Sequence, residues 1–318
     1  MKFAVFGLGA LGTVFATLLK EKGHTVFGIT KKEYEHLFEY TPFKVSGIWG
    51  EHQARLDGIF SSMMYIDEDL DYIILTVKSY DTPIAIRQIK PYLLGNTKVL
   101  LAQNGYGNYE IASKEIGKNR TLLARVIFGA KLLDIGHAEV TVIADDVVIG
   151  QPEGKIPEEE IKKLVDVFNE AGIPTRYSKD VYKILWDKIL YNCALNPLGA
   201  LLECTYGQLA SEEETKRIMN NIIDEIFSVV EKHNIELNWK NSQEYKKYFY
   251  EKLIPPTAKH FPSMYYDLKA GKRLEIDALN GAIVKLAKEK ALNVPVNETI
   301  TDMIKRKEKL NKISTEGI

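Results

Sequence analysis

The chain has 318 residues, of which 45% are hydrophobic and 27% charged, a composition typical of a globular protein with about two domains. Its 42 basic and 43 acidic residues nearly cancel, so the net charge attracts neither nucleic acid nor an anionic membrane surface. Two cysteines are too few for a disulfide framework, and the N-terminus lacks the pattern of a signal peptide. We therefore expect a cytoplasmic protein without nucleic-acid or membrane partners.

The N-terminal residues have the pattern of a β-α-β unit. Residues 2–6 are predicted to form a buried strand, residues 10–22 a helix, and residues 25–30 a second strand. A G-x-G-x-x-G loop follows the first strand, where glycines allow a tight turn, close approach of a pyrophosphate and close packing of the helix. In this context the loop predicts a dinucleotide site, although a structural glycine turn has the same pattern. The loop residues are Gly7, Leu8, Gly9, Ala10, Leu11 and Gly12.

The end of the second strand bears on the choice of dinucleotide. An acidic residue there would bind the ribose 2′-hydroxyl of NAD and repel the 2′-phosphate of NADP. The sequence instead continues as Thr30, Lys31 and Lys32, followed by Glu33. A hydroxyl and two cations favour NADPH, although lysines on an exposed turn are often only solvated.

Further apolar runs predict a doubly wound parallel sheet covered by helices on both faces. Residues 72–77 and 98–102 are predicted strands, and Lys78 and Asn104 follow them where such a sheet binds ligands. Three more predicted strands extend the sheet, with antiparallel pairing left open. They span residues 121–127, 138–143 and 146–149.

Beyond a predicted domain boundary near Ser178, strand signals nearly vanish. The predicted helices span residues 179–195, 212–233, 243–253, 274–290 and 298–309. The expected fold class is therefore α/β, with a Rossmann-type doubly wound sheet in residues 1–178 and an all-α domain in residues 179–318.

Three polar residues recur at intervals of four in the first helix of the second domain. Lys188, Asn192 and Asn196 fall in a line on one helix face, because four residues rotate by only about 40°. Their neighbours are almost all apolar, and buried polar groups need partners. One interpretation is a lysine reaching towards water and two asparagines bonding backbone near a helix break at Pro197. The other is a lysine that protonates a carbonyl oxygen, with two amides that orient the substrate.

Ser263 and Glu275 are the other polar residues of note, each placed at the predicted start of a helix. A serine there can be only a helix cap, and a glutamate can simply complement the helix dipole. No His, Cys or carboxylate cluster has the spacing of metal ligands. We therefore expect a lysine rather than zinc to polarise the carbonyl.

These motifs together resemble the ketopantoate reductase (2-dehydropantoate 2-reductase) family along nearly the whole chain. The N-terminal glycine loop is joined by four further segments in the order and spacing of that family. They are Thr76-Val77-Lys78, Gln103-Asn104-Gly105, the Lys188, Asn192 and Asn196 series ending in Pro197-Leu198, and Ser263 twelve residues before Glu275-Ile276-Asp277.

The resemblance implies NADPH-dependent reduction of 2-dehydropantoate to pantoate in pantothenate biosynthesis. It implies that Lys188 is the proton donor and that Glu275 lies near both the lysine and the cofactor. It also implies that Ala130, in a Gly129-Ala130 turn, contacts the cofactor. The implied cofactor contacts further include Lys31 and Lys78. Asn104 is implied to lie where cofactor and substrate meet. The implied substrate contacts are Asn192, Asn196 and Ser263.

Two positions depart from the family pattern. Lys31 stands where the family often has arginine. Lysine keeps the positive charge but cannot bind phosphate in a bidentate way. Tyr206 stands where the family can have a substrate-contacting asparagine, which leaves the identity of the 2-oxo acid open. The alternatives are a paralogue acting on another 2-oxo acid, a related β-hydroxyacid dehydrogenase, and a non-catalytic NADPH sensor; the chain is expected to be a monomer or homodimer.

Overall fold

The computed structural model of the chain describes residues 1–38 and 42–316. It divides into two compact units, Met1–Tyr182 and Lys183–Ile318. The predicted fold class is confirmed, because the first unit contains a Rossmann-type sheet and residues 183–316 contain helices but no strand. Within the described residues, every helix is too short or too polar to cross a membrane.

The strands of the first unit are numbered in chain order. They are β1 (Lys2–Phe6), β2 (Thr25–Ile29), β3 (Phe43–Gly47), β4 (His52–Ala54), β5 (Gly58–Phe60), β6 (Tyr72–Leu75), β7 (Lys98–Leu101), β8 (Thr121–Arg125), β9 (Phe128–Asp134), β10 (His137–Ile143), β11 (Val147–Gly150) and β12 (Thr175–Tyr177). Its longer helices are α1 (Ala10–Glu21), α2 (Lys32–Phe38), α3 (Thr82–Ile89), α4 (Asn108–Ile116) and α5 (Glu158–Glu170).

Eight strands form one sheet in the order β12-β11-β8-β7-β6-β1-β2-β5. All neighbouring pairs from β5 to β8 are parallel, and only β11 runs antiparallel to its neighbour β8. The chain leaves β1 towards β2 on one side and returns to β6 on the other. The carboxyl ends of β1 and β6 therefore flank the switch point, where open parallel sheets bind ligands.

A second sheet, in the order β4-β3-β10-β9, covers the outer side of α1. The helix therefore lies between two sheets, and Phe15 packs edge-on against Phe128 of β9 and against Phe168 of α5. The prediction that residues 138–143 extend the main sheet is wrong, since they form β10 of this second sheet. Alternating apolar residues show that a strand has a buried face, but they do not show which sheet it joins.

The second unit consists of seven α-helices among its described residues. They are α6 (Val181–Leu202, which begins two residues before the unit), α7 (Tyr206–Ser211), α8 (Glu213–Lys232), α9 (Ser242–Tyr248), α10 (Ser263–Lys269), α11 (Asn280–Glu289) and α12 (Pro295–Glu316). Helix α8 packs against α7, α9, α11 and α12. Its inward face contributes fully buried Met219, Ile222 and Ile226 to the core.

Two predictions about the helical unit are wrong. Helix α6 was expected to end at residue 195 before Pro197, but it continues through this proline to Leu202. At this turn the Asn280 side chain donates a hydrogen bond to the carbonyl of Cys193, 3.1 Å away. Glu275 does not begin a long helix either, since it precedes one 3₁₀ turn, Ile276–Ala278, before α11 starts.

Candidate active site

The glycine loop connects β1 to α1 at the switch point of the sheet. Gly7 has a φ of 107°, a conformation that favours glycine, and its N–H donates to the carbonyl of Ile29 at 2.9 Å. The Thr76 hydroxyl, just beyond β6, donates to the carbonyl of Gly7 at 2.6 Å. The loop is therefore fixed to the ends of both strands that flank β1.

The other two loop glycines have opposite surroundings. A β-carbon on Gly12 would overlap the carbonyl oxygen of Gly7 and lie 2.8 Å from Oγ1 of Thr76. A β-carbon on Gly9 would meet no atom within 4 Å, and Gly9 is exposed at the start of α1. The first turn of α1 contains no acidic residue, so its N–H groups and its dipole favour an anion. The open space at Gly9 fits the pyrophosphate of a dinucleotide.

Hydrogen bonds also connect the ends of β6 and β7. The buried Gln103 amide donates to the carbonyl of Val77 at 2.8 Å. The Ser79 hydroxyl and the Asn108 amide donate to the carbonyl of Asn104 at 2.8 and 2.9 Å. Because β1, β6 and β7 are neighbours and parallel, Lys78 and Asn104 lie at the same edge of the sheet as the glycine loop.

Gln103 also contributes to this edge of the sheet, although the sequence motifs assign no role to it. Its Nε2 group also bonds the Thr82 hydroxyl at 2.6 Å, while its Oε1 atom is buried without a hydrogen-bond partner in the described part of the chain. Its position directly after a parallel strand was the available signal. We regard it as a residue that holds the Lys78 and Asn104 loops in place.

Of the two predicted cofactor contacts Lys31 and Ala130, only the first lies in the kind of element that the sequence predicts. Lys31 is exposed just after β2, beside the start of α2 and at the loop edge of the sheet. Ala130 was expected in a turn, but it lies inside β9, opposite Val140 of β10. The expectation of a Gly129-Ala130 turn is therefore wrong, because β9 continues through Gly129, which pairs with Val142 of β10.

In the second unit, helix α6 carries Lys188, Asn192 and Asn196 at successive turns. Lys188 is half-buried, and the two asparagines are only 9% and 7% exposed. Asn192 has no hydrogen-bond partner among residues 1–38 and 42–316. The residue is largely buried, but its amide atoms are not among the fully buried polar atoms without a partner, so a ligand or ordered water can reach them.

Asn196 differs from Asn192 because it has a side-chain partner. The Tyr206 hydroxyl donates to Oδ1 of Asn196 at 3.0 Å, and both residues are buried. Burial, with a smaller contribution from Tyr191, raises the pKa of Tyr206, so the phenol stays protonated and remains a donor. The bond occupies the amide oxygen of Asn196 and leaves its two N–H groups out of this contact.

The remaining predicted residues have clear positions within this unit. Ser263 is exposed as the first residue of α10, where Pro262 occupies the N-cap position, so the serine is not the cap. Glu275 is partly buried before the 3₁₀ turn. Asp187, next to Lys188, accepts hydrogen bonds from Asn238 and Trp239.

No group of three or more His, Cys, Asp or Glu side chains in the described ranges is arranged to hold a metal ion.

A parallel sheet with a glycine loop at its switch point, joined in one chain to an all-helical unit, defines a two-domain protein of the Rossmann class. The family model described as ketopantoate reductase PanE/ApbA matches residues 3–154, and the model of its C-terminal part matches residues 180–308. The chain belongs to the ketopantoate reductase family and is an oxidoreductase. The resemblance seen in the sequence motifs is thus confirmed.

Individual proteins support the same conclusion. The chain is 50% identical over 311 residues to the 2-dehydropantoate 2-reductase of Aquifex aeolicus (strain VF5), covering 98% of both chains. It is similar to the crystal structure of a PanE/ApbA family ketopantoate reductase from Ralstonia eutropha JMP134, with 26% identity, a TM-score of 0.86 and coverage of 98% and 100%. A D-mandelate dehydrogenase in complex with NADH has 25% identity, a TM-score of 0.84 and coverage of 97% and 99%.

Proposed function

We propose that the protein reduces 2-dehydropantoate to (R)-pantoate with NADPH, a step of pantothenate biosynthesis. The relative from Aquifex aeolicus carries the name of this activity at 50% identity over nearly the full length. We assign cofactor binding mainly to residues 1–178 and catalysis to residues 179–318. The proposed enzyme works in the cytoplasm on a small 2-oxo acid, as a monomer or homodimer, without nucleic-acid or membrane partners.

The cofactor assignment rests on the edge of the sheet at the end of β1. The glycine loop and the N-terminus of α1 would hold the pyrophosphate, and Lys31 would pair with the 2′-phosphate. Lys78 and Asn104 lie at the same edge and complete the proposed cofactor contacts with Ala130 and Glu275. NADPH, when bound, supplies the hydride that reduces the carbonyl carbon.

The unpartnered Asn192 amide is the observation that carries the proposed catalytic role of α6. It is nine-tenths buried on the same helix face as Lys188. In the proposed reaction, the Lys188 ammonium donates a proton to the substrate oxygen and stabilises its developing negative charge. Asn192, Asn196 and Ser263 would hold the substrate by hydrogen bonds, with Asn104 at the cofactor side and Glu275 near the lysine.

A second candidate function is reduction of a different 2-oxo acid. The hydrogen bond from Tyr206 to Asn196 favours it, because a bulky phenol lies where the family can have a smaller asparagine that contacts substrate. The similarity to a D-mandelate dehydrogenase shows that a dehydrogenase named for a different compound has this architecture. A change in the pocket lining alters the choice between related substrates.

The test is NADPH oxidation by the purified protein with 2-dehydropantoate and a panel of other 2-oxo acids, repeated with Lys188→Ala. We expect 2-dehydropantoate to be the preferred substrate and Lys188→Ala to lower kcat by about 10²- to 10⁴-fold, because the proton donor is lost. The matched control is Lys285→Ala, which removes an exposed lysine of α11.

NADPH binding, measured by fluorescence titration, distinguishes the alternatives. Lys188→Ala should still bind NADPH. If the wild-type protein binds NADPH but turns over no 2-oxo acid, it is a sensor rather than an enzyme of this type. A preference for a different acid in the panel favours the second candidate.

A further inference from the structure

Pro197 lies inside the helix that carries the proposed catalytic residues. In a regular helix, the N–H of residue 197 would bond the carbonyl of Cys193, but proline has no N–H. Cys193 is fully buried, so water does not readily supply the missing donor. A proline at such a position usually kinks or ends a helix. Helix α6 nevertheless continues to Leu202.

The side chain of Asn280 supplies the missing donor from the first residue of α11. Its Nδ2 group lies 3.1 Å from the carbonyl oxygen of Cys193 and 3.0 Å from Oδ1 of Asn297. Asn280 is completely buried. Two acceptors face one amide group, so its NH₂ end points towards them, and its Oδ1 atom is buried without a hydrogen-bond partner in the described part of the chain.

Asn297 is held in turn by the carboxylate of Glu225. Its Nδ2 group lies 2.7 Å from the Glu225 carboxylate, which also accepts from the backbone N–H groups of Val296 and Asn297, both at 2.9 Å. This leaves Oδ1 of Asn297 to face Asn280. The chain of hydrogen bonds therefore has one consistent direction and connects α8, α12, α11 and α6.

We propose that Asn280 is a positioning residue that replaces the N–H absent at Pro197 and so keeps Asn196 in line with Asn192 and Lys188. The inference rests on the proposed function of these three residues. The turn from Cys193 to Pro197 joins the part of α6 with Lys188 and Asn192 to the part that begins with Asn196. Without the bond from Asn280, this turn becomes a hinge, and Asn196 moves relative to Lys188.

A double-mutant cycle tests the proposal, because Pro197→Ala restores the helical N–H to Cys193. Asn280→Leu keeps a similar side-chain volume but removes the donor. We expect Asn280→Leu to lower kcat/KM for the 2-oxo acid by about 10- to 100-fold, as expected for a misplaced binding group, with the KM for NADPH unchanged. In the Pro197→Ala background, the same substitution should cost less than about threefold, because the restored N–H takes over the bond.

The cycle separates positioning from a general effect on stability. Pro197→Ala repairs the Cys193 carbonyl but leaves Oδ1 of Asn297 without its donor, so the double variant should regain activity while its Tm stays low. Asn169→Leu is the matched control, since it removes an asparagine bond to the carbonyl of Thr175 in the first unit that involves neither α6 nor α10. This control should lose little activity.

Hydrogen exchange of residues 189–202 gives a readout that does not require turnover. Asn280→Leu should speed exchange in this segment, and Pro197→Ala should slow it again. Equal losses of kcat/KM in both backgrounds, or no loss, overturn the proposal. If the wild-type protein reduces no 2-oxo acid, the proposed function fails, and the exchange data alone decide whether Asn280 supports α6.

Discussion

Lys31 is the single residue on which the proposed preference for NADPH most depends. It is exposed just after β2, and Glu33 and Glu35 follow in the first turn of α2. Lys31→Glu would add a third carboxylate beside the proposed 2′-phosphate. We expect the ratio of kcat/KM for NADPH over NADH to fall by about tenfold or more, because an acid here repels the phosphate and binds the ribose hydroxyl.

Steady-state kinetics with both cofactors measure this ratio. Lys22→Glu, the same charge change at the opposite end of β2, is the control. Unchanged selectivity in Lys31→Glu would remove Lys31 from the cofactor site.

The sequence predicted the line of Lys188, Asn192 and Asn196, because helical periodicity alone places residues four apart on one face. It did not predict the hydrogen bond from Tyr206 to Asn196 or the unpartnered state of Asn192. These depend on how α7 returns to α6, and therefore on tertiary packing that periodicity does not encode. The amide oxygen of Asn196 accepts this bond, so in the proposed function its N–H groups are the ones that would contact the substrate.

At the scale of elements, alanine substitutions at two glycines of the loop are expected to differ in their effect on the free energy of unfolding. Gly12→Ala places a β-carbon against the carbonyl of Gly7 and should destabilise the first unit by about 1–3 kcal/mol through steric overlap. Gly9→Ala places a β-carbon in open space and should change the free energy of unfolding by less than about 0.5 kcal/mol.

Urea unfolding and NADPH titration of both variants check this prediction. Gly9→Ala should still weaken NADPH binding, because its β-carbon enters the space proposed for the pyrophosphate. If Gly9→Ala binds NADPH as tightly as the wild type, the open space is not the pyrophosphate site.

The elements of the main sheet were largely predictable, since β1, β6 and β7 are apolar runs buried on both faces. The second sheet was not. Its strand β4 has only three residues, and the pairing of β3 with β10 joins residues that are far apart in the sequence. The continuation of α6 through Pro197 was missed for the same reason, because the compensating Asn280 lies 87 residues beyond Cys193.

At the scale of the whole first unit, an ion pair holds the segment where the chain passes from the second sheet back to the first. Asp145 lies between β10 and β11 and accepts a 2.5 Å hydrogen bond from Arg125, whose side chain is 4% exposed. Partial burial opposes ionisation of Asp145, but the Arg125 guanidinium holds the pKa of this carboxyl below its usual value.

Asp145→Asn should lower the free energy of unfolding by about 1–2 kcal/mol at neutral pH, since it leaves a buried arginine without its anion while Asp145 itself is half-exposed. A carboxyl with a lowered folded pKa stabilises the protein above its unfolded pKa of about 4, and this contribution is lost as the pH falls further. The difference between wild type and variant should therefore shrink below about pH 4.

Urea unfolding at pH 7 and at pH 3 measures both values. Asp166→Asn, at an exposed position of α5, is the control. An equal loss of stability at both pH values would show that the charge of Asp145 is not the cause.

The position of α1 between two sheets has a consequence for how the protein is made. The glycine loop and α1 precede in the chain all the strands that cover the outer face of α1, and these strands extend to Ile143. A nascent chain therefore carries an uncovered apolar helix face until almost the entire first unit has left the ribosome. The glycine loop is therefore translated before the strands that complete the packing of the helix to which it is joined.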